Sequence, residues 1–138
     1  MKHEFKYRII YKDTDAEGVV YYANYLAFFE RGRTELLRQM GINLKQIKEK
    51  QGIIFAVTRV ECDYKAPALF DDEITVVSEI VETTSARVIF KQEVLRKDQV
   101  LVSANITVAS IGLKDFKPVR LPAGLRWDQL PGQTLKSE

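Results

Sequence analysis

Phe5, Tyr7, Ile9 and Tyr11 alternate with Glu4, Lys6 and Arg8 along His3–Tyr11, and only Ile10 breaks the polar side. A period of two predicts a strand with one buried face. Lys12–Gly18 (KDTDAEG) ends the alternation with turn formers, and Gly18 can adopt a positive φ. The period then changes to 3.6. Over Tyr22–Met40 the residues Tyr25, Leu26, Phe28, Phe29, Leu36, Leu37 and Met40 form a broad apolar face, with Glu30, Arg31, Arg33, Glu35 and Arg38 mostly opposite. This predicts a helix of about five turns. Asn24 or a neighbour is placed to cap its start, and Gly41 to stop it. Gly32 inside the helix costs about 1 kcal/mol relative to alanine, which points to a strand packed close against it.

Asn43–Gln51 reads as a short amphipathic helix with Leu44 and Ile47 inward, closed by Gly52. Strands follow at Ile53–Tyr64, Glu73–Val81, Ala86–Arg96 and Val100–Leu113, the last two joined through Lys97-Asp98-Gln99. Phe116–Pro122 is a short extension, and the tail from Gly124, which includes Trp127, is expected to be loose. The order strand, long helix, short helix and four strands predicts a single α+β domain over residues 1–138 with an antiparallel sheet. Its exposed edges make dimerisation the expected state.

Composition narrows the function classes. Of the 138 residues, 46% are hydrophobic and 29% charged, as in an ordinary globular domain. A net charge of +2 with scattered basic residues does not predict a nucleic-acid partner. No run approaches the roughly 20 apolar residues of a membrane span. The start, MKHEFKYRII, lacks the apolar core of a signal peptide, and Cys62 has no second cysteine to pair with. The expected location is the cytoplasm.

Candidate chemistry is sparse. His3 is the only histidine and sits near the terminus, where a solvated surface residue is expected. One histidine and one cysteine do not make a metal site, and the glycine-rich phosphate loops are missing, so neither metal nor cofactor is predicted. Cys62 lies mid-strand and reads as buried and inert. Asp15, a few residues before the long helix, has two readings. It is a turn carboxylate bound to its own backbone, or it is a base or nucleophile aimed at a carbonyl whose oxygen is held by helix-start N–H groups. Asp13 reads as serving the turn. Tyr21, Tyr22 and Tyr25 read either as packing aromatics or, at Tyr22, as the source of a backbone N–H for that oxygen.

These residues also carry a resemblance. Arg8-Ile9, Thr14-Asp15, Gly18-Val19-Val20-Tyr21 and Tyr25, at their spacing, resemble the 4-hydroxybenzoyl-CoA thioesterase signature. ANYLAFFERGRTE, VTRVECDYKAPALFDDEITV and FKPVRLP resemble the Tol–Pal-associated acyl-CoA thioesterase branch, so the likeness spans about Phe5 to Pro122. The resemblance implies a hotdog fold, with a five-stranded antiparallel sheet wrapped around one long central helix. It implies homodimers formed by edge pairing, or homotetramers, with sites between protomers. The implied activity is acyl-CoA thioester hydrolysis, with an acyl carrier protein as the other candidate carrier. Asp15 matches the catalytic carboxylate and Tyr22 the backbone N–H that binds the thioester oxygen, while Val19, Val20 and Tyr25 match the acyl end. Tyr22 replaces the histidine usual in the Tol–Pal branch. Lys65, Arg87 and Lys91 are the candidates for coenzyme A phosphates, in place of a basic run that Thr83–Ala86 lacks. A dehydratase or isomerase on the same fold, which calls for a proton-shuttling histidine, and a non-catalytic acyl-thioester-binding or partner-binding dimer are the alternatives.

Overall fold

The computed structural model describes residues 2–126. Five strands form one antiparallel sheet: β1 (Lys2–Arg8), β2 (Ile53–Tyr64), β3 (Glu73–Thr83), β4 (Arg87–Arg96) and β5 (Gln99–Gly112), in the spatial order β1-β3-β4-β5-β2. The first two strands occupy opposite edges. The chain between them crosses the sheet as helix α1 (Asn24–Gln39), followed by α2 (Leu44–Gln51). α1 packs on β1, β3 and β4, and α2 on β2. The predicted α+β fold and element order are therefore present.

α1 buries Tyr25, Phe28, Phe29, Gly32, Leu36 and Leu37. Phe29 and Leu36 are fully buried, each contributing about 1.5–3 kcal/mol of apolar burial. An alanine Cβ at Gly32 would collide with Ser78 Oγ and come within 3.0 Å of Gln92 Nε2 and 3.2 Å of Val76 Cγ1. The close strand that the glycine predicts is β3, with β4 beside it. Below it lies a buried polar network with no signal in the sequence. Gln92 Nε2 donates to Phe29 O (2.8 Å) and Ser78 Oγ (2.7 Å), and Arg33 Nη1 donates to Gln92 Oε1 (3.1 Å). Gly41 stops α1 as predicted. Its φ is +85°, its N–H donates to Arg38 O, and Ile42 N–H donates to Leu37 O, a Schellman closure.

Three expectations are corrected. β1 ends at Arg8 and not Tyr11, because Asp13 Oδ2 accepts both Ile10 N–H and Tyr7 O–H (2.9 Å each) and bends the chain into a 3₁₀ turn at Tyr11–Asp13. Tyr11 is left exposed, stacked on Phe70 at 3.8 Å. α1 begins at Asn24 with no side-chain cap, since Asn24 Nδ2 donates instead to Asp13 O (2.8 Å). Leu121 and Leu125 are fully buried and Arg126 Nε donates to Leu121 O, while the polar end of the tail lies outside the described residues. Trp127 lies outside the described residues. His3 is half-buried within β1 on the face shared with Phe5, and is not a solvated terminal side chain.

Candidate active site

The turn carrying Asp15 is a small hairpin. Thr14 bridges Val20, Asp15 N–H donates to Val19 O, Gly18 N–H donates to Asp15 O, and Gly18 has φ +80°. Asp15 Oδ1 accepts from Glu17 N–H (2.8 Å) and Val19 N–H (3.4 Å), so the turn role is real. It occupies one carboxylate oxygen. Oδ2 has no hydrogen-bond partner among the described residues, and the side chain is exposed.

The start of α1 is fastened to this hairpin. Asp13 O accepts both Tyr21 N–H (3.2 Å) and Asn24 Nδ2 (2.8 Å). One carbonyl two residues before Asp15 thus fixes where the helix begins. Asn24, Tyr25 and Leu26 N–H bond to Tyr21, Tyr22 and Ala23 O. The N–H groups of Tyr22 and Ala23 have no partner among the described residues. They are unpaired donors at the positive end of a 16-residue helix. Asp13 serves the turn as predicted, and its carbonyl does more than its residue type suggests.

The tyrosines divide. Tyr25 is in the core, where its hydroxyl accepts from Ala68 N–H (2.9 Å). Tyr22 is 60% exposed. Tyr64, which drew no attention in the sequence, donates to Tyr22 O (3.3 Å) and sets its ring 6.1 Å from Tyr22 and 5.7 Å from Tyr25. Burial, then the hydrogen bond with Cys62, push the Tyr64 hydroxyl up to about 12. Cys62 is half-buried, and burial pushes its thiol up too, so it is mostly protonated near neutral pH.

Val19 is half-buried in a bridge to Leu69, and Val20 is buried in the core. Open space lies instead along the other face of α1. An open groove of about 400 Å³ is lined by Leu26, Ala27, Glu30, Arg33, Val57, Val60 and Ile106. A smaller pocket of about 120 Å³ shares Glu30, Arg33 and Val57 with it and reaches Leu37 and Phe55. The periodicity hid this groove because Leu26 and β2 read as ordinary core. In fact Val57 and Val60 are 48% and 40% exposed.

The three candidate phosphate-binding cations are not brought together. Lys65 follows β2 beside Leu101, Lys91 pairs with Asn105, and Arg87 pairs with Ala109. Eight strand residues therefore separate the first from the last, roughly 25 Å. His3 is also remote, five residues up β1 from Arg8, or about 17 Å. Among the described residues no three His, Cys, Asp or Glu side chains gather as metal ligands.

A profile of the thioesterase-like superfamily matches residues 11–127. The chain belongs to that superfamily. The match covers the Asp15 hairpin, both helices and four of the five strands, and the resemblance read from the TD-x₂-GVVY stretch holds. Acyl-CoA thioesterase YbgC of Haemophilus influenzae is 41% identical over 118 residues, covering 86% of this chain and 87% of that one. Among solved structures, a probable thioesterase from Bartonella henselae superposes with a TM-score of 0.83 at 38% identity, covering 88% of this chain and 100% of that one. A DHNA-CoA thioesterase from Staphylococcus aureus gives 0.81 at 27% identity, covering 87% and 80%. The hotdog architecture of this superfamily member follows from both the sheet order and these likenesses.

Proposed function

We propose that this chain hydrolyses acyl-CoA thioesters where the Asp15 hairpin meets the start of α1. The observation that carries the reading is the pair of unpaired N–H groups at Tyr22 and Ala23, fastened through Asp13 O to a hairpin whose Asp15 Oδ2 is open. The thioester oxygen takes the N–H groups, Tyr22 first, and negative charge develops there as the carbonyl carbon becomes tetrahedral. Such a donor is typically worth ~3 kcal/mol in the transition state. Asp15 acts by one of two routes. As general base, Oδ2 takes a proton from a water that attacks the carbon, and the intermediate expels coenzyme A thiolate. As nucleophile, Oδ2 itself attacks and expels the thiolate, leaving a mixed anhydride that water cleaves. A single turnover in oxygen-18 water separates the routes: label entering Asp15 supports the anhydride, and label confined to the product acid supports direct attack.

The acyl group is small to medium in size. Val19, with Val20 and Tyr25 behind it, backs the reacting end, and the groove at Leu26, Val60 and Val57 takes the remainder. Lys65, next to Tyr64, is the best placed of the three cations for a coenzyme phosphate. The free edge of β2 pairs with a second copy to form a homodimer, which roofs the groove, and two dimers can associate into a tetramer. Among the described residues no helix is long and apolar enough to cross a membrane. A coenzyme A substrate and an unpaired cysteine fit the cytoplasm.

The test is thiol release from short, long and aromatic acyl-CoAs, with enoyl-CoA hydration followed in parallel at its ultraviolet band. Release of thiol with no hydration is the expected result. Hydration without release would replace the hydrolase with a hydratase, and tight binding without either would leave a binding protein. Turnover confined to acyl carrier protein thioesters would change the carrier and keep the chemistry.

A further inference from the structure

Residues 67–72 form a strap behind the Asp15 hairpin. Val20 N–H donates to Ala68 O (2.9 Å), Val19 bridges Leu69, and Phe70 N–H donates to Gly18 O (3.2 Å). One side chain from the end of β4 closes this strap at both ends. Arg96 Nη1 donates to Pro67 O (3.2 Å) and to Asp72 Oδ2 (2.7 Å), from 29 and 24 residues away. Asp72 Oδ2 also accepts Leu69 N–H (2.8 Å). Arg96 Nη2 donates to Gln99 Oε1 (3.1 Å), which aims the guanidinium. The two ionic side chains are 29% and 22% exposed, well below the other ion pairs of the described residues. The connection runs from Arg96 to Asp72, to Leu69, to Val19, and from Val19 N–H to Asp15 Oδ1.

We propose that Arg96, acting with Asp72, is a positioning residue for Asp15. It touches no reacting atom. It sets the strap that sets the hairpin, and so the direction of Asp15 Oδ2. The proposal rests on the reading of Asp15 as the reacting carboxylate. A misplacement of about 1 Å can cost a hundredfold in rate, so the effect belongs to kcat. A lysine keeps the charge but has no second nitrogen to hold Gln99 Oε1 while the first bonds Pro67 O and Asp72.

The experiment is a double-mutant cycle on the full chain, with Arg96→Met and Asp15→Asn, reading kcat and KM for one acyl-CoA and the thermal midpoint of each protein. Arg96→Met is expected to lower kcat about 10- to 100-fold with KM within about threefold, and to have no further effect in the Asp15→Asn background. Arg96→Lys is expected to restore part of the lost rate, and it carries the cycle if Arg96→Met does not fold. Equal losses in both backgrounds, or an unchanged kcat, would overturn the positioning role while leaving Asp15 in place. Full activity in Asp15→Asn alone would overturn both, and the single variant shows which reading has failed.

Discussion

Gly32 shows how one missing methyl group sets the distance between helix and sheet. Ala is the better helix former by about 1 kcal/mol, but its Cβ would press into Ser78, Gln92 and Val76. Overpacking a tight core costs about 1–3 kcal/mol, and here it also disturbs the hydrogen bonds of a fully buried Gln92. Gly32→Ala should therefore lower stability, which urea denaturation would register as a lower midpoint. A raised midpoint would mean that helix propensity wins and that the core can give way. Gly32 was legible in the sequence because a glycine inside an amphipathic helix needs a reason. Asp13 was legible as a turn residue. Arg96 was not, since its partners lie 24 and 29 residues away and nothing local separates it from a solvated arginine.

Among the elements, the strands and helices were read closely because their periods differ, and the errors fall where a side chain overrides the period. Tyr11 continues the alternation of β1, yet Asp13 takes the Ile10 N–H and turns the chain. β2 has the composition of a buried strand, but α1 packs over the β1-β3-β4 half of the sheet, so Val57 and Val60 face the groove beside it. The strap at residues 67–72 carries a pH signature. Burial alone would raise the Asp72 carboxyl, but the bonds from Arg96 and Leu69 N–H and the Arg96 charge outweigh it and hold the group below the usual carboxylate range. A depressed folded-state value stabilises the fold above the unfolded value of about 3.9, and that stability is lost as pH falls through the folded value. The stability difference between wild type and Asp72→Asn should be constant from pH 7 to about 5 and shrink below about 4. A difference that persists undiminished to pH 2 would place the contribution elsewhere.

At the scale of the whole molecule, the two sheet edges differ. The outward side chains of β1 include Lys2, Glu4, Lys6 and Arg8, and charge protects that edge. β2 leaves Val57 and Val60 exposed beside the groove, and it is the edge the proposed dimer would use. Sedimentation should give at least twice the 15.9 kDa chain mass, and Val57→Lys with Val60→Lys should return the protein to a monomer with little activity. A wild-type monomer with full activity would place the whole site within one chain.

The proposed role of Asp15 is to drive thioester hydrolysis while the rest of the hairpin only holds it. It is tested most directly by thiol release from acyl-CoA by wild type and Asp15→Asn, both in a Cys62→Ala background so that the protein's own thiol stays silent. Asp15→Asn is expected to keep its thermal midpoint within a few degrees and to lose about 10²–10⁴ in kcat. A folded Asp15→Asn protein with wild-type turnover would contradict it.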